Sequence, residues 1–204
     1  MHRIGKYALV LTLVCVAVSA QASTIIFSDG FNFATPPPSY ITVNGGGTIG
    51  PWTVGGSSVD WIGGYWQPAE GNGSIDMSGS AAGSLSTTLS TVAGQSYMLS
   101  FYLAGNPDGG NVVKSLQVQV GSLNQTFHFD TTGHSEGSMG WVLETVLFTA
   151  GGTDTLTFTS LDANAYGAAL DGVTVSSVPE PSTMLLLGSG VIGLAGILRR
   201  KINL

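Results

Sequence analysis

The chain has a single cysteine, Cys15, and it lies inside an apolar run near the start. No disulfide within the chain and no multi-thiolate metal site can therefore be formed. Basic residues are nearly as scarce. There are six Lys and Arg in 204 residues, and Arg3, Lys6, Arg199, Arg200 and Lys201 all lie at the ends. Between Ser23 and Val178 the single cation is Lys114, against eleven Asp and Glu. A surface of that sign repels phosphate backbones, which excludes nucleic acid as a partner. Charged residues make up 9% of the chain, where about a quarter is usual. No segment between the two ends carries a convincing helical period, so a helical bundle or coiled coil is excluded as well.

Glycine is abundant instead, with 30 residues, about twice its ordinary frequency. Both ends are hydrophobic. Residues 1–22 read as a secretory signal: Arg3 and Lys6 are a basic start, Ala8 to Val18 is apolar, and Ala20-Gln21-Ala22 is a small-x-small cleavage site. Maturation is expected at Ser23. The bulky Val14 before Cys15 argues against lipoprotein cleavage, where a small residue is expected. Residues 23–178 are then one domain's worth of chain, large enough to bury a core without disulfides.

At the other end Pro179-Glu180-Pro181 precedes an apolar stretch, 182–198, closed by Arg199-Arg200-Lys201. As a helix those 17 residues span about 25 Å, just enough to approach a hydrocarbon core of about 30 Å. The basic end is expected on the cytoplasmic side. This three-part order over 179–204 strongly resembles the PEP-CTERM sorting signal of Gram-negative bacteria. The resemblance implies export by the secretion machinery and a transient hold in the inner membrane through the C-terminal helix. It further implies recognition and tail removal by an exosortase, with delivery to the cell surface or an exopolysaccharide (biofilm) matrix. Pro179, Glu180, Pro181, Arg199, Arg200 and Lys201 are then processing signals. The competing reading is a plain C-terminal anchor.

Between the ends, short alternating runs are separated by Gly, Asn, Asp and Pro. The clearest are 96–103, 114–120, 125–129, 141–148, 155–160 and 169–175. In the second, Leu116, Val118 and Val120 share one face, and in the third Phe127 and Phe129 alternate with Thr126 and His128. That period of two predicts half-buried antiparallel strands. Further strands near 24–27, 58–62, 74–77 and 83–90 bring the expected number to about ten. The predicted fold is all-β, a two-sheet antiparallel β-sandwich of jelly-roll type.

Several motifs also look like a bacterial surface-domain family called choice-of-anchor C. They are Gly50-Pro51-Trp52-Thr53-Val54, Val59-Asp60-Trp61-Ile62 with Tyr65-Trp66, Gly71-Asn72-Gly73-Ser74-Ile75-Asp76, the run 103–110, Met139-Gly140-Trp141, and the run 166–173. The resemblance implies a galactose-binding-like jelly roll, in agreement with the strand pattern. It also implies a structural calcium between the first turn and the last strand, drawing here on Asp29, Asn32 and Asp171. Asn32 stands where a carboxylate is usual, and no Asp-x-Asp-x-Asp loop is present. The alternative is solvated turn carboxylates, with Asp171 bonding loop amides.

The densest aromatic and polar cluster comprises Trp52, Asp60, Trp61, Tyr65, Trp66, Gln67 and Asn72. Sugars offer C–H faces that pack on aromatic rings and hydroxyls that need directional partners, so this mixture suits a glycan. The competing reading puts Trp52 and Trp61 in the core and uses Tyr65-Trp66 to pin a loop. Asn106 and Asp108 add an amide and a carboxylate at a tip, which Asn106-Pro107-Asp108-Gly109-Gly110 equally explains as a turn. His128 and Asp130 share a strand face but lack the third group that a zinc or nucleophile site needs. Asp60 with Asp76 could form a glycosidase pair in principle, but eleven acids make such a coincidence cheap. The sequence predicts a non-catalytic module with carbohydrate or exopolysaccharide as ligand. The alternative is a structural matrix protein without a small ligand.

Overall fold

Alternation of apolar and polar residues, punctuated by glycine, becomes antiparallel strands throughout. The computed structural model describes residues 22–33, 35–179 and 190. The secretory segment expected over 1–22, and the Glu180-Pro181 motif, helix 182–198 and basic end expected at the other terminus, lie outside the described residues apart from Ala22 and Gly190. Ser23–Val178 is one compact unit.

Thirteen strands are found among the described residues: β1 (Ile25–Asp29), β2 (Tyr40–Asn44), β3 (Thr48–Ile49), β4 (Trp52–Gly56), β5 (Ser58–Ile62), β6 (Ser74–Asp76), β7 (Gly83–Ser90), β8 (Ser96–Gly105), β9 (Val113–Val120), β10 (Leu123–Asp130), β11 (Val142–Thr149), β12 (Thr153–Ser160) and β13 (Ala168–Ser177). They form two antiparallel sheets, the all-β sandwich expected from the sequence. The first runs β11-β8-β13-β6-β5-β2, with β1 also on β13, and the second runs β10-β9-β12-β7-β4-β3. β13 is the axis of the first sheet. One edge pairs along β8, while the other pairs with β6 at Ala169–Leu170 and with β1 beyond Asp171.

The expected strand count of about ten falls short by three, β2, β3 and β4. β2 is an edge strand whose residues are mostly exposed, so burial imposes little alternation on it. β3 has only two residues. β4 ends in Gly55-Gly56, a pair that reads as a breaker.

Interior faces meet through aromatic rings. Phe101 of the first sheet meets Phe127 and Phe158 of the second edge-to-face, at 5.2 and 5.3 Å. Trp52, fully buried, reaches Phe27 of β1 at 5.3 Å and an interplanar angle of 88°. Its indole N–H donates to Asp29 Oδ2 at 2.9 Å, and Asp29 Oδ1 accepts the Phe31 N–H at 2.8 Å. Phe31 has a positive φ of 56°, which is costly for a bulky residue. Complete burial of its ring and the Asp29 bond hold it there.

Trp52→Phe keeps an aromatic ring in the core but leaves Asp29 Oδ2 without its donor. We expect a loss of at least about 1–3 kcal/mol in denaturant unfolding followed by fluorescence. Unchanged stability would show that the bond contributes nothing.

Candidate functional site

Strand register dictates where the carboxylates go. Asp60 of β5 stands directly opposite Asp76 of β6, and Asp76 stands opposite Ala169 of β13. Ala169 and Asp171 are two apart, so Asp60, Asp76 and Asp171 project from one face of the first sheet. It is the face turned away from the sandwich core, since Val59, Ile75 and Leu170 point inward. Three buried carboxylates on an outward face require a cover, and the loops supply it.

Asp171 Oδ2 accepts the N–H groups of Ala69 and Glu70 at 2.9 and 3.0 Å, fastening the β5–β6 loop over the sheet. Its Oδ1 accepts the N–H of Gly172. There β13 bulges against β8 between Asp171 and Thr174, and Gly172 has φ 54°. A Cβ at Gly172 would stand 2.7 Å from the Tyr102 ring, so both conformation and space select glycine. Asp76, 1% exposed, takes Ser78 N–H and Gly167 N–H on Oδ1 and the Asn106 amide on Oδ2 at 2.7 Å. It thereby ties together the segments after β6, after β8 and before β13. Lys114 reinforces this end: its buried ammonium donates to the carbonyls of Gly109 and Tyr166.

Asp60 is held differently. Thr42 donates to its Oδ1 at 2.6 Å, while Oδ2 has no partner among the described residues. The group is 9% exposed and opens into a cleft of about 240 Å³. Tyr40, Tyr65, Trp66 and Tyr166 provide its aromatic walls, with Asp60, Asp76, Asn106 and Asp108 as its polar groups. Tyr65 lies between Tyr40 at 5.4 Å and Trp66 at 5.9 Å, and its hydroxyl donates to Asp108 at 2.7 Å. The Trp66 indole donates to Ser74. The floor stays open because position 79 is glycine, where a Cβ would stand 2.9 Å from Asp60 Oδ1. Asp108 also borders a shallower depression lined by His134 and Glu136.

Five of the eight residues singled out for ligand contact, Asp60, Tyr65, Trp66, Asn106 and Asp108, converge on this cleft. The other three lie apart. Trp61 points to the opposite face of β5, packing on Phe33 at 5.6 Å and donating to the Phe31 carbonyl. Gln67 meets the other loop through its backbone, bonded to Glu136 and to the Trp141 indole. Asn72 bonds through its N–H to the Asn32 side chain. The segment 106–110 is both turn and wall, since Asn106 Oδ1 accepts the Asp108 N–H while its amide reaches Asp76. Tyr40 and Tyr166 were missed as site residues. Tyr166 sits in a run that carries the family resemblance, whereas nothing local marks Tyr40. Lys114 registered in the sequence only as a charge.

The oxygens of the three residues expected at a calcium site face N–H groups: Asp29 those of Phe31 and Trp52, Asn32 those of Asn72 and Gly73, and Asp171 those of Ala69, Glu70 and Gly172. Among the described residues no group of three or more His, Cys, Asp and Glu could hold a metal ion.

Burial disfavours charge on the sheet carboxylates. It raises Asp76 to about 7, opposed by its hydrogen bonds and aided by nearby Asp60. It raises Asp171 to about 7 as well, against three backbone N–H bonds. Asp60 is raised by burial and partly restored by Thr42. The Asp108 hydrogen bond pushes the Tyr65 hydroxyl upward, keeping it a donor.

A family model described as "Protein of unknown function (DUF642)" matches residues 27–176, nearly the whole sandwich. The chain belongs to the DUF642 family. A second model, the PEP-CTERM protein-sorting motif, matches residues 177–201, so the DUF642 domain is part of an exported protein with a C-terminal membrane-anchoring signal. Halomucin of Haloquadratum walsbyi is 33% identical over 174 residues, which cover 81% of this chain and 2% of Halomucin. Among solved structures, the CBM22-1 xylan-binding domain from Paenibacillus barcinonensis Xyn10C superposes with a TM-score of 0.50 at 19% identity, covering 80% of this chain and all of that domain. The CBM22-1-CBM22-2 tandem of the same protein gives 0.51 at 19% identity, over 80% of this chain and 49% of the tandem. The DUF642 domain therefore has the sandwich fold of carbohydrate-binding modules.

Folded Asp76 and Asp171 titrate at about 7 against an ordinary value of 3.8. Between those values the folded state keeps protons that the unfolded state has released, so stability falls as pH rises through the window. Thermal unfolding midpoints should be higher on its acid side than at its neutral end, and Asp76→Asn should flatten the slope. A midpoint that rises with pH across the window would contradict these titrations.

Proposed function

We propose that this DUF642 domain is a non-catalytic carbohydrate-binding module, carried by an exosortase-sorted protein to the surface or exopolysaccharide matrix of a Gram-negative cell. Its ligand site is the cleft over Asp60. The observation that carries this reading is the composition of the cleft: four aromatic rings beside an open carboxylate oxygen, two further carboxylates and an amide. Rings pack on sugar C–H faces while the polar groups bond hydroxyls. The size also suits the reading, since about 240 Å³ is below the roughly 300–1,000 Å³ of drug-sized sites and fits about one sugar residue.

Two observations support binding over turnover. Asp60 and Asp76 are side-by-side neighbours on adjacent strands rather than groups facing each other across the cleft, whereas glycosidases flank the scissile bond with their two carboxyls. Asp76 also has both oxygens taken by N–H donors, which leaves it poorly placed to move a proton.

Tyr40 and Tyr166 are 49% and 38% exposed, so their removal should cost little stability, within about 0.5 kcal/mol. In glycan-array and native-polysaccharide pull-downs, Tyr40→Ala and Tyr166→Ala should each lower retention tenfold or more with nearly unchanged unfolding. No retention of any glycan by the unaltered protein would leave the structural matrix role as the better account. A calcium ion near Asp29, Asn32 and Asp171 would have to displace the N–H groups that these oxygens now accept. The expected outcome is an unfolding midpoint insensitive to calcium and to chelator, and a clear rise with calcium would assign the ion a structural role.

A further inference from the structure

The cleft is acidic to a degree that binding a neutral sugar does not require. Asp60 and Asp108 line it, Asp76 lies beneath, and Glu136 borders the adjoining depression, close enough to act on the Tyr65 hydroxyl. The lone Lys or Arg of 23–178 only partly offsets this: the Lys114 ammonium acts on Asp76 and Asp108 through space, but its hydrogen bonds go to the Gly109 and Tyr166 carbonyls and none reaches a cleft carboxylate. Asp60 supplies the decisive feature. The residue is nine-tenths buried and lines the cleft, yet its Oδ2 has no partner among the described residues. A carboxylate oxygen without a protein partner, reached by solvent on an otherwise buried side chain and set among electron-rich rings, is completed best by a cationic donor, which gains both a charge-assisted hydrogen bond and cation–π attraction. A uronate would instead bring a like charge to Asp60 and Asp108.

We propose that the cleft selects a sugar carrying a free, protonated amine, a de-N-acetylated hexosamine unit of a polysaccharide, with Asp60 receiving the ammonium and Asp108 supporting it. This rests on the carbohydrate-binding reading and adds the ligand's charge to it. N-acetylation removes that charge and adds bulk, so acetylated units should bind poorly. Selection by charge is thus expected to operate one residue at a time, at whichever free amine a chain presents.

The test is isothermal titration of the full-length chain, held in a polyoxyethylene detergent that carries no sugar. Probes are glucosamine oligomers, their N-acetylated counterparts and oligogalacturonate of equal length. Glucosamine oligomers should bind at least tenfold tighter than either comparator. Asp60→Asn and Asp108→Asn should each cut that preference severalfold or more. Both variants retain an oxygen acceptor for Thr42 or Tyr65, and Asp108 is exposed, so folding is not at risk there. Glu144→Gln, on β11 away from the cleft, should leave the preference intact. An equal loss in that variant would show diffuse attraction to an acidic protein and overturn the proposal. Equal or tighter binding of acetylated or uronate oligomers would also overturn it, while leaving saccharide binding standing. Failure of all three probes and of every glycan on an array would remove both readings.

Discussion

Three carboxylates on the outward face of one sheet, Asp60, Asp76 and Asp171, are the constraint on which the rest depends. Carboxylates in such a place are normally solvated, and burying them is unfavourable unless hydrogen bonds replace the lost water. Asp171 and Asp76 obtain those bonds from backbone N–H groups and the Asn106 amide of segments 30 to 102 residues away, so satisfying the carboxylates and fastening the loops are one event. The covered face then explains why β13 is buried along most of its length. Asp60 is the exception, with one oxygen satisfied and one left open. The cleft exists where that cover is incomplete.

Rigidity at this site comes from the same bonds. Asn106 is fixed by Asp76 before it meets any ligand, and Tyr65 is fixed by Asp108. Lys114 braces the two segments that carry Asp108 and Tyr166 from below. Walls held in this way would lose little freedom on taking up the proposed saccharide, which conserves affinity for a small contact area. Trp66 is buried and bonded to Ser74, which would make it a fixed platform for the proposed saccharide, whereas Tyr40 and Tyr166 are more exposed.

Much of the fold was legible in the sequence because burial on one face writes a period of two. Leu116, Val118 and Val120 of β9, and Phe127 and Phe129 of β10, are buried as that pattern requires. β2 was not legible, since an exposed edge strand has no reason to alternate. The candidate site was legible in part. Clustering in sequence brought out Asp60, Tyr65 and Trp66, but it drew in Trp61 as well. Neighbours on a strand face opposite ways, and Asp60 and Trp61 do so here. Asp76 joins Asp60 only through the β5–β6 register, and Tyr40 and Tyr166 reach the cleft only through tertiary folding. The N–H partners of Asp171 were among the alternatives that residue type suggested, yet their place in the β5–β6 loop depends on how that loop crosses the sheet.

Amide chemical-shift mapping during titration with a bound oligosaccharide addresses the central claim, that ligand enters over Asp60, most directly. The account predicts perturbations concentrated at Tyr65, Trp66, Gly79, Asn106, Asp108 and Tyr166, with β9 and β10 of the second sheet nearly silent. Perturbations centred on β9 and β10, with the cleft amides unmoved, would contradict it.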